Sequence, residues 1–209
     1  MSTQAQRATL QRRPLVKKIL DGADDNLLVI AGLGSANWDI TAAGDRPLNM
    51  PLWGAMGAPV AMGLGLAMAQ PAKRVLVITG DGDMLMSLGA LATVATQQPD
   101  NLAIVVLDNE KFGETGNQAT HTSPRNNGPT DSGAGTDLAM IAKGCGIADS
   151  ATVREAGEVA QLVKDARTRK GPVFRLVKVM VEKLEFVMPP QDGAHLKDRF
   201  RQALGIKPT

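Results

Sequence analysis

The chain has 209 residues, 44% hydrophobic, 21% charged and only 3% aromatic with no tyrosine, which suits one compact α/β domain and is too short for two of ordinary size. A formal net charge of +2, with basic residues interleaved among acidic ones, offers no basic stripe for nucleic acid and leaves a small anionic substrate compatible. The single cysteine, Cys145, precludes an internal disulfide, and there is no signal peptide or apolar span of about 18 residues, so the expected setting is a reducing cytoplasm without a membrane partner.

Residues 4–22 place Leu10, Leu15, Val16, Ile19 and Leu20 between Arg and Lys, an amphipathic helix expected to pack on its own domain. Residues 27–31 read as a short strand, and Gly32-Leu33-Gly34-Ser35 turns into a helix carrying Trp38, with Ser35 suited to cap it. From Met56 to Ala69 small and aliphatic side chains alternate, with Gly57, Gly63 and Gly65 allowing close helix-to-sheet approach; on this pattern alone Met56 is a core residue. Residues 74–79 are a β-branched run that stops at Gly80-Asp81-Gly82-Asp83, as a buried parallel strand stops at its carboxyl end. Met84, Leu85, Leu88, Leu91, Ala92 and Ala95 follow at helical spacing with few polar residues between them, so a largely buried helix is expected, its amino end at Gly82.

A second strand, 102–107, leads into Asp108-Asn109 and a stretch over 111–137 rich in Gly, Asn, Thr, Ser and Pro, too long for a mere connection in a compact domain. Asp137 caps a helix reaching Lys143, 148–153 is a strand, 155–169 an amphipathic helix, 173–179 the last strand, and 194–204 a short basic helix expected to dock on a partner. Strand and helix alternate, which predicts an α/β fold: a doubly wound, mainly parallel sheet with helices on both faces and right-handed crossovers. The expected organisation is an N-terminal amphipathic helix over 1–26, a binding domain over 27–180 and a C-terminal arm over 181–209.

The chemistry concentrates between Gly80 and Gln118. A buried helix amino end with glycines beside it attracts phosphate through unpaired N–H groups. Asp81 therefore faces an anion site, where a carboxylate is repelled unless a divalent cation lies between, and magnesium is the usual bridge. Asn109 supplies a second, neutral oxygen just past the neighbouring strand, where open α/β sheets bind ligands. Taken singly, each of these pieces is ordinary turn chemistry.

Together they resemble a family. Gly80-Asp81-Gly82, then 26 residues (83 to 108), then Asn109 is similar to the motif of thiamine-diphosphate enzymes, and Leu52-Trp53-Gly54-Ala55-Met56-Gly57 resembles the segment of those enzymes that lies along the cofactor rings. The resemblance covers roughly 27–180 and implies the pyrophosphate-binding, C-terminal type of domain, with thiamine diphosphate and Mg2+ as cofactors. It implies the Asp81 carboxylate, the Asn109 amide oxygen and the Lys111 carbonyl as metal ligands. It makes Met56 the side chain that bends the cofactor, Gly54 the acceptor for its 4'-amino group, and Ser35 a further diphosphate contact. Gly80, Gly82, Asp83, Phe112 and Gly113 line the cofactor. Trp53, next to Gly54, is a fluorescence handle on binding.

Phe112-Gly113-Glu114-Thr115-Gly116-Asn117-Gln118-Ala119-Thr120-His121-Thr122 resembles the sulfopyruvate and phosphonopyruvate decarboxylase branch, most of all its beta subunits. Glu114 departs from the small residue of that branch; it is either a solvated loop carboxylate or a proton carrier near the reacting carbon. His121 is likewise a substrate or proton-shuttle residue or a surface histidine, and His195 is an exposed tail residue. Lys111 and Arg125 are candidates for holding a substrate's distal anion.

The activating glutamate of the family belongs to a separate pyrimidine-binding domain, for which this length leaves no room. The resemblance thus implies an alpha subunit carrying that domain and glutamate, in an α2β2 heterotetramer or larger assembly. The implied activity is decarboxylation of a small anionic 2-oxo acid, 3-sulfopyruvate or 3-phosphonopyruvate, to the aldehyde and CO2. Alternatives are a carboligase or acyloin lyase, a non-catalytic regulatory subunit of the same fold and, outside the family, a nucleotide-binding module.

Overall fold

The computed structural model describes residues 8–124 and 135–207. In chain order the elements are α1 (Arg12–Leu20), β1 (Leu27–Ala31), α2 (Ser35–Ala43), β2 (Asn49–Pro51), α3 (Ala58–Ala69), β3 (Arg74–Gly80), α4 (Asp81–Leu85), α5 (Gly89–Gln97), β4 (Leu102–Asp108), β5 (Lys111–Phe112), β6 (Gln118–Ala119), α6 (Leu138–Gly144), β7 (Asp149–Val153), α7 (Val159–Thr168), β8 (Val173–Lys178) and α8 (Gly193–Ala203). The main sheet has six strands in the order β2-β1-β3-β4-β8-β7, and every pairing in it is parallel. Among the described residues only the short β5–β6 hairpin is antiparallel.

β1, β3, β4 and β8 are near-continuous apolar runs because both of their faces are covered. Val29, Ile78, Val105 and Val177 face α1, α2 and α7, where they meet Ile19, Ile40 and Leu162. Ile30, Val77, Ile104 and Phe174 face the other way, onto Leu64 of α3, Leu91 of α5, Leu138 of α6 and Phe200 of α8. The doubly wound architecture expected from the alternation is present, and its chain order reverses at β1, which has β2 on one side and β3 on the other. Ligands of such sheets bind outside the carboxyl ends of the strands at that reversal.

Four expectations need correction. β2 was not foreseen: it is a three-residue edge strand ending in Pro51, where a missing N–H is tolerated. The single helix expected from Met84 onward is two, α4 and α5, separated by residues 86–88. It is also not largely buried. Met84, Leu91 and Val94 are inward, whereas Ala92 is exposed and Met86 is 63% exposed. The C-terminal helix docks on its own chain, burying Leu196 and Phe200 and pairing Arg199 with Asp45 beside β2.

The segment between β8 and α8 reaches that position as a strap. Met180 N–H donates to Leu10, Arg13 to the Glu185 carbonyl and the Trp53 indole to the Pro190 carbonyl, while Phe186 packs on Trp38 with ring centroids 4.3 Å apart. The N-terminal helix packs on the same body through Leu15, Val16 and Ile19, and Arg12 reaches the buried Asp39 of α2 at 2.6 Å.

Candidate active site

The site is built where β1 and β3 end side by side. Gly32, just past β1, donates its N–H to the Ile78 carbonyl at 2.8 Å, and a Cβ on it would lie 2.0 Å from Asp83 Oδ2. That closeness marks a knot. Asp83 Oδ1 accepts the Gly57 N–H at 2.5 Å, Oδ2 accepts the Thr79 hydroxyl at 2.5 Å, and the Leu33 N–H also reaches the carboxylate. Burial raises the Asp83 pKa, and these hydrogen bonds pull it back. One carboxylate thus ties together the start of α3, the start of α2 and the end of β3. Asp83, expected along the cofactor, is committed to this framework.

Asp81 and Asp108 leave β3 and β4 next to each other, since Gly80 pairs with Leu107 in the parallel register. Both are buried. Thr120 Oγ1 donates to Asp81 Oδ2 at 2.5 Å, and Thr122 Oγ1 lies 3.0 Å from the same oxygen and 2.9 Å from Asp108 Oδ1. Lys178, the register partner of Asp108 on β8, brings Nζ within 2.7 Å of Asp108 Oδ2 and 2.8 Å of Glu110 Oε1. Burial first, and the Asp108 charge second, push the Asp81 carboxyl up to about 6. Burial lowers the Lys178 pKa, but Asp108 and Glu110 outweigh it and the net shift is upward.

A buried carboxylate pushed up this way is relieved by a cation, which is the test of fit for a bound metal. Both threonine hydroxyls bind Asp81 Oδ2, so Oδ1 remains for an outside ligand. The Asn109 amide oxygen is oriented by the Lys111 N–H at 3.0 Å. Among the described residues no group of three or more His, Cys, Asp and Glu is placed to hold a metal alone. A cation here therefore needs amide, carbonyl and ligand oxygens beside Asp81, which suits magnesium carried with phosphates. Glycine keeps the cradle open: a Cβ on Gly82 would sit 2.5 Å from the Phe112 ring, which closes over that turn.

Ser35 is the first residue of α2 and does not cap it; the N-cap is Gly34, with φ +80°. Gly54, also at positive φ (+65°), faces open space, and Met56 is 37% exposed, which removes the alternative that it is a core residue. Glu114 is exposed and lays its carboxylate against Gly34 at the start of α2, 3.1 Å from where a Cβ would stand. Gly113 begins a single 3-10 turn after Phe112. His121 is exposed while its neighbours Thr120 and Thr122 point inward, so the loop delivers hydroxyls to Asp81 and turns the imidazole outward. Arg125 lies outside the described residues. Sequence reasoning missed Thr120, Thr122 and Lys178. The alternation Thr-His-Thr and a lysine ending an apolar strand were the available signals.

A family model, thiamine pyrophosphate enzyme, C-terminal TPP binding domain, matches residues 34–177. Sulfopyruvate decarboxylase subunit beta of Methanocaldococcus jannaschii is 36% identical over 156 residues, 75% of this chain and 77% of that protein. Phosphonopyruvate decarboxylase of Streptomyces viridochromogenes is 28% identical over 93% of this chain but only 46% of its own length. In fold, benzoylformate decarboxylase of Polynucleobacter necessarius superposes with a TM-score of 0.66 at 18% identity, covering 84% of this chain and 34% of that one. With Gly80-Asp81-Gly82 and Asn109 at the carboxyl ends of the neighbouring strands β3 and β4 and a family match spanning most of the chain, this protein belongs to the thiamine pyrophosphate enzymes as a C-terminal TPP-binding domain.

Proposed function

We propose that the chain is the pyrophosphate-binding subunit of a thiamine-diphosphate-dependent decarboxylase that converts 3-sulfopyruvate or 3-phosphonopyruvate to the aldehyde and CO2. The observation that carries this reading is the buried Asp81 carboxylate beside Asn109 at the carboxyl ends of β3 and β4. In this reading Asp81, the Asn109 amide oxygen and the Lys111 carbonyl hold Mg2+. Ser35, Gly80, Gly82, Phe112 and Gly113 surround the diphosphate. The Gly54 carbonyl and the Met56 side chain serve the aminopyrimidine side.

When bound, thiamine diphosphate supplies a carbon nucleophile and an electron sink for the pair left by departing CO2. The chain's residues do the rest. Phe112 shields the Gly82 turn from water, the start of α2 stabilises anionic charge, and Glu114 beside it carries a proton at the substrate end. Lys111 and Arg125 hold the distal anion of the substrate, with His121 at the outer edge. A reducing cytoplasm suits the free Cys145.

The chain works with an alpha subunit that brings the pyrimidine-binding domain and its activating glutamate, in an α2β2 or larger assembly. Support comes from α3, which is apolar all round yet exposes Ala61, Met62, Gly65, Met68 and Ala69, and from Met86 beyond it. A helix of this composition is ordinarily covered on every side. The test is CO2 release from each 2-oxo acid by the chain alone and by the complex purified with its partner. Activity is expected only in the complex, with thiamine diphosphate bound. A chain active alone overturns the subunit reading, and exchange of carbonyl fragments without CO2 moves the assignment to a carboligase or lyase.

A further inference from the structure

Asn109 sits on a turn that is held from both flanks. Glu110, directly after it, has φ +60°, a left-handed conformation that a non-glycine residue keeps only when its surroundings over-determine it. The determinants are visible. Glu110 N–H donates to Asp108 Oδ1 at 3.1 Å, the Glu110 carbonyl accepts the Thr120 N–H at 3.1 Å, and Lys178 Nζ reaches Asp108 and Glu110 together. Lys178 is a neighbour of neither residue in sequence. It arrives because its position on β8 is the register partner of Asp108.

We propose that Lys178 is a positioning residue for the cation: it fixes the Asp108-Asn109-Glu110 turn by both flanks and, through Asp108 and Thr122, sets the orientation of the Asp81 carboxylate. The inference rests on Asp81 and Asn109 being the metal ligands. Its ammonium also balances one of two adjacent buried carboxylates, so that the pair presents a single uncompensated charge. Replaced by an uncharged side chain, Lys178 leaves Asp108 and Glu110 unpaired on either side of Asn109, and both ligands lose their fixed geometry. Partners that orient metal ligands in this way are worth about 10- to 100-fold in metal affinity.

The experiment is Mg2+ half-saturation at saturating thiamine diphosphate, read by titration calorimetry on the full chain in complex with its partner, beside the melting temperature of the metal-free complex. Lys178→Met is expected to raise the half-saturation about tenfold, Lys178→Arg to recover most of it, and Lys170→Met, at the exposed pair with Asp100, to leave it unchanged. A lowered melting temperature with unchanged half-saturation makes Lys178 merely structural and overturns the inference. Should Lys178→Met not fold, Glu110→Gln removes one flank; half-saturation at the wild-type value in that variant overturns it equally. Failure of the wild-type complex to bind thiamine diphosphate with Mg2+ strikes the ligand reading of Asp81 and Asn109 instead.

Discussion

Replacing Asp83 by alanine removes the acceptor shared by Gly57 N–H, Leu33 N–H and the Thr79 hydroxyl. Each buried N–H left without a partner costs about 1–3 kcal/mol, so two cost roughly 2–6. Part of that is offset, because burial of the carboxylate is itself unfavourable, as its raised pKa shows. A net loss of about 2–4 kcal/mol follows, or a fall in melting temperature of about 5–15 °C for a chain of this size. The consequence for the site is larger than the loss of stability suggests, because the same carboxylate aligns the start of α2 with the Gly54–Gly57 segment. If the loosened segments are aligned about a tenth of the time, apparent cofactor affinity falls about tenfold. Scanning calorimetry and titration of thiamine diphosphate with Mg2+ into the complex measure the two effects separately. A melting temperature within about 3 °C of wild type refutes the energetic reasoning. A large fall with unchanged affinity refutes the claim that Asp83 organises the site.

Three other outcomes follow from the geometry. Gly82→Ala drives a Cβ to 2.5 Å from the Phe112 ring, so the ring is displaced and cofactor binding weakens; adding Phe112→Ala restores stability but not affinity. The metal-free protein loses stability as pH rises from about 4 to 6, by roughly 2 kcal/mol, in urea melts across that range. The sign follows from Asp81: with a folded pKa of about 6 against an ordinary 3.8, it keeps a proton that the unfolded chain has released. Asp39 and Asp83, raised by burial, act in the same direction, whereas the raised pKa of Lys178 stabilises below 10.5 and is lost only as pH climbs past its higher folded value. Flat stability from pH 4 to 6 contradicts the electrostatics described for Asp81. Finally, Met86→Glu, at a position 63% exposed, leaves the stability of the isolated chain unchanged within about 0.5 kcal/mol yet abolishes assembly with the partner in analytical ultracentrifugation. Intact assembly in that variant removes this face from the interface.

The buried parallel strands were legible because burial on both faces leaves them no choice of residue: 27–31, 74–79 and 102–107 fall on β1, β3 and β4 within a residue. The placement of Asp81 and Asn109 at the ends of β3 and β4 was legible for a related reason, since strand ends and glycine turns show in local sequence. Other features depend on what the chain meets. The run of apolar residues after Gly82 looks like core, but its outer side faces away from this chain, and one sequence does not distinguish a core from a surface awaiting another subunit. Lys178 looks like the polar end of a strand until the register sets it against Asp108. Thr120 and His121 exchange the prominence expected of them because the chain turns here, Ser123 N–H donating to the Thr120 carbonyl at 3.1 Å, and the turn keeps both threonine hydroxyls at Asp81 while the imidazole stays outside.

The strap between β8 and α8 has an optical consequence. The chain contains two tryptophans and no tyrosine, and both indoles lie under this one segment, Trp38 against Phe186 and Trp53 bonded to Pro190. Intrinsic emission of the protein is therefore a gauge of the strap. A single proteolytic cut between Val181 and Gln191 unseats both fluorophores together.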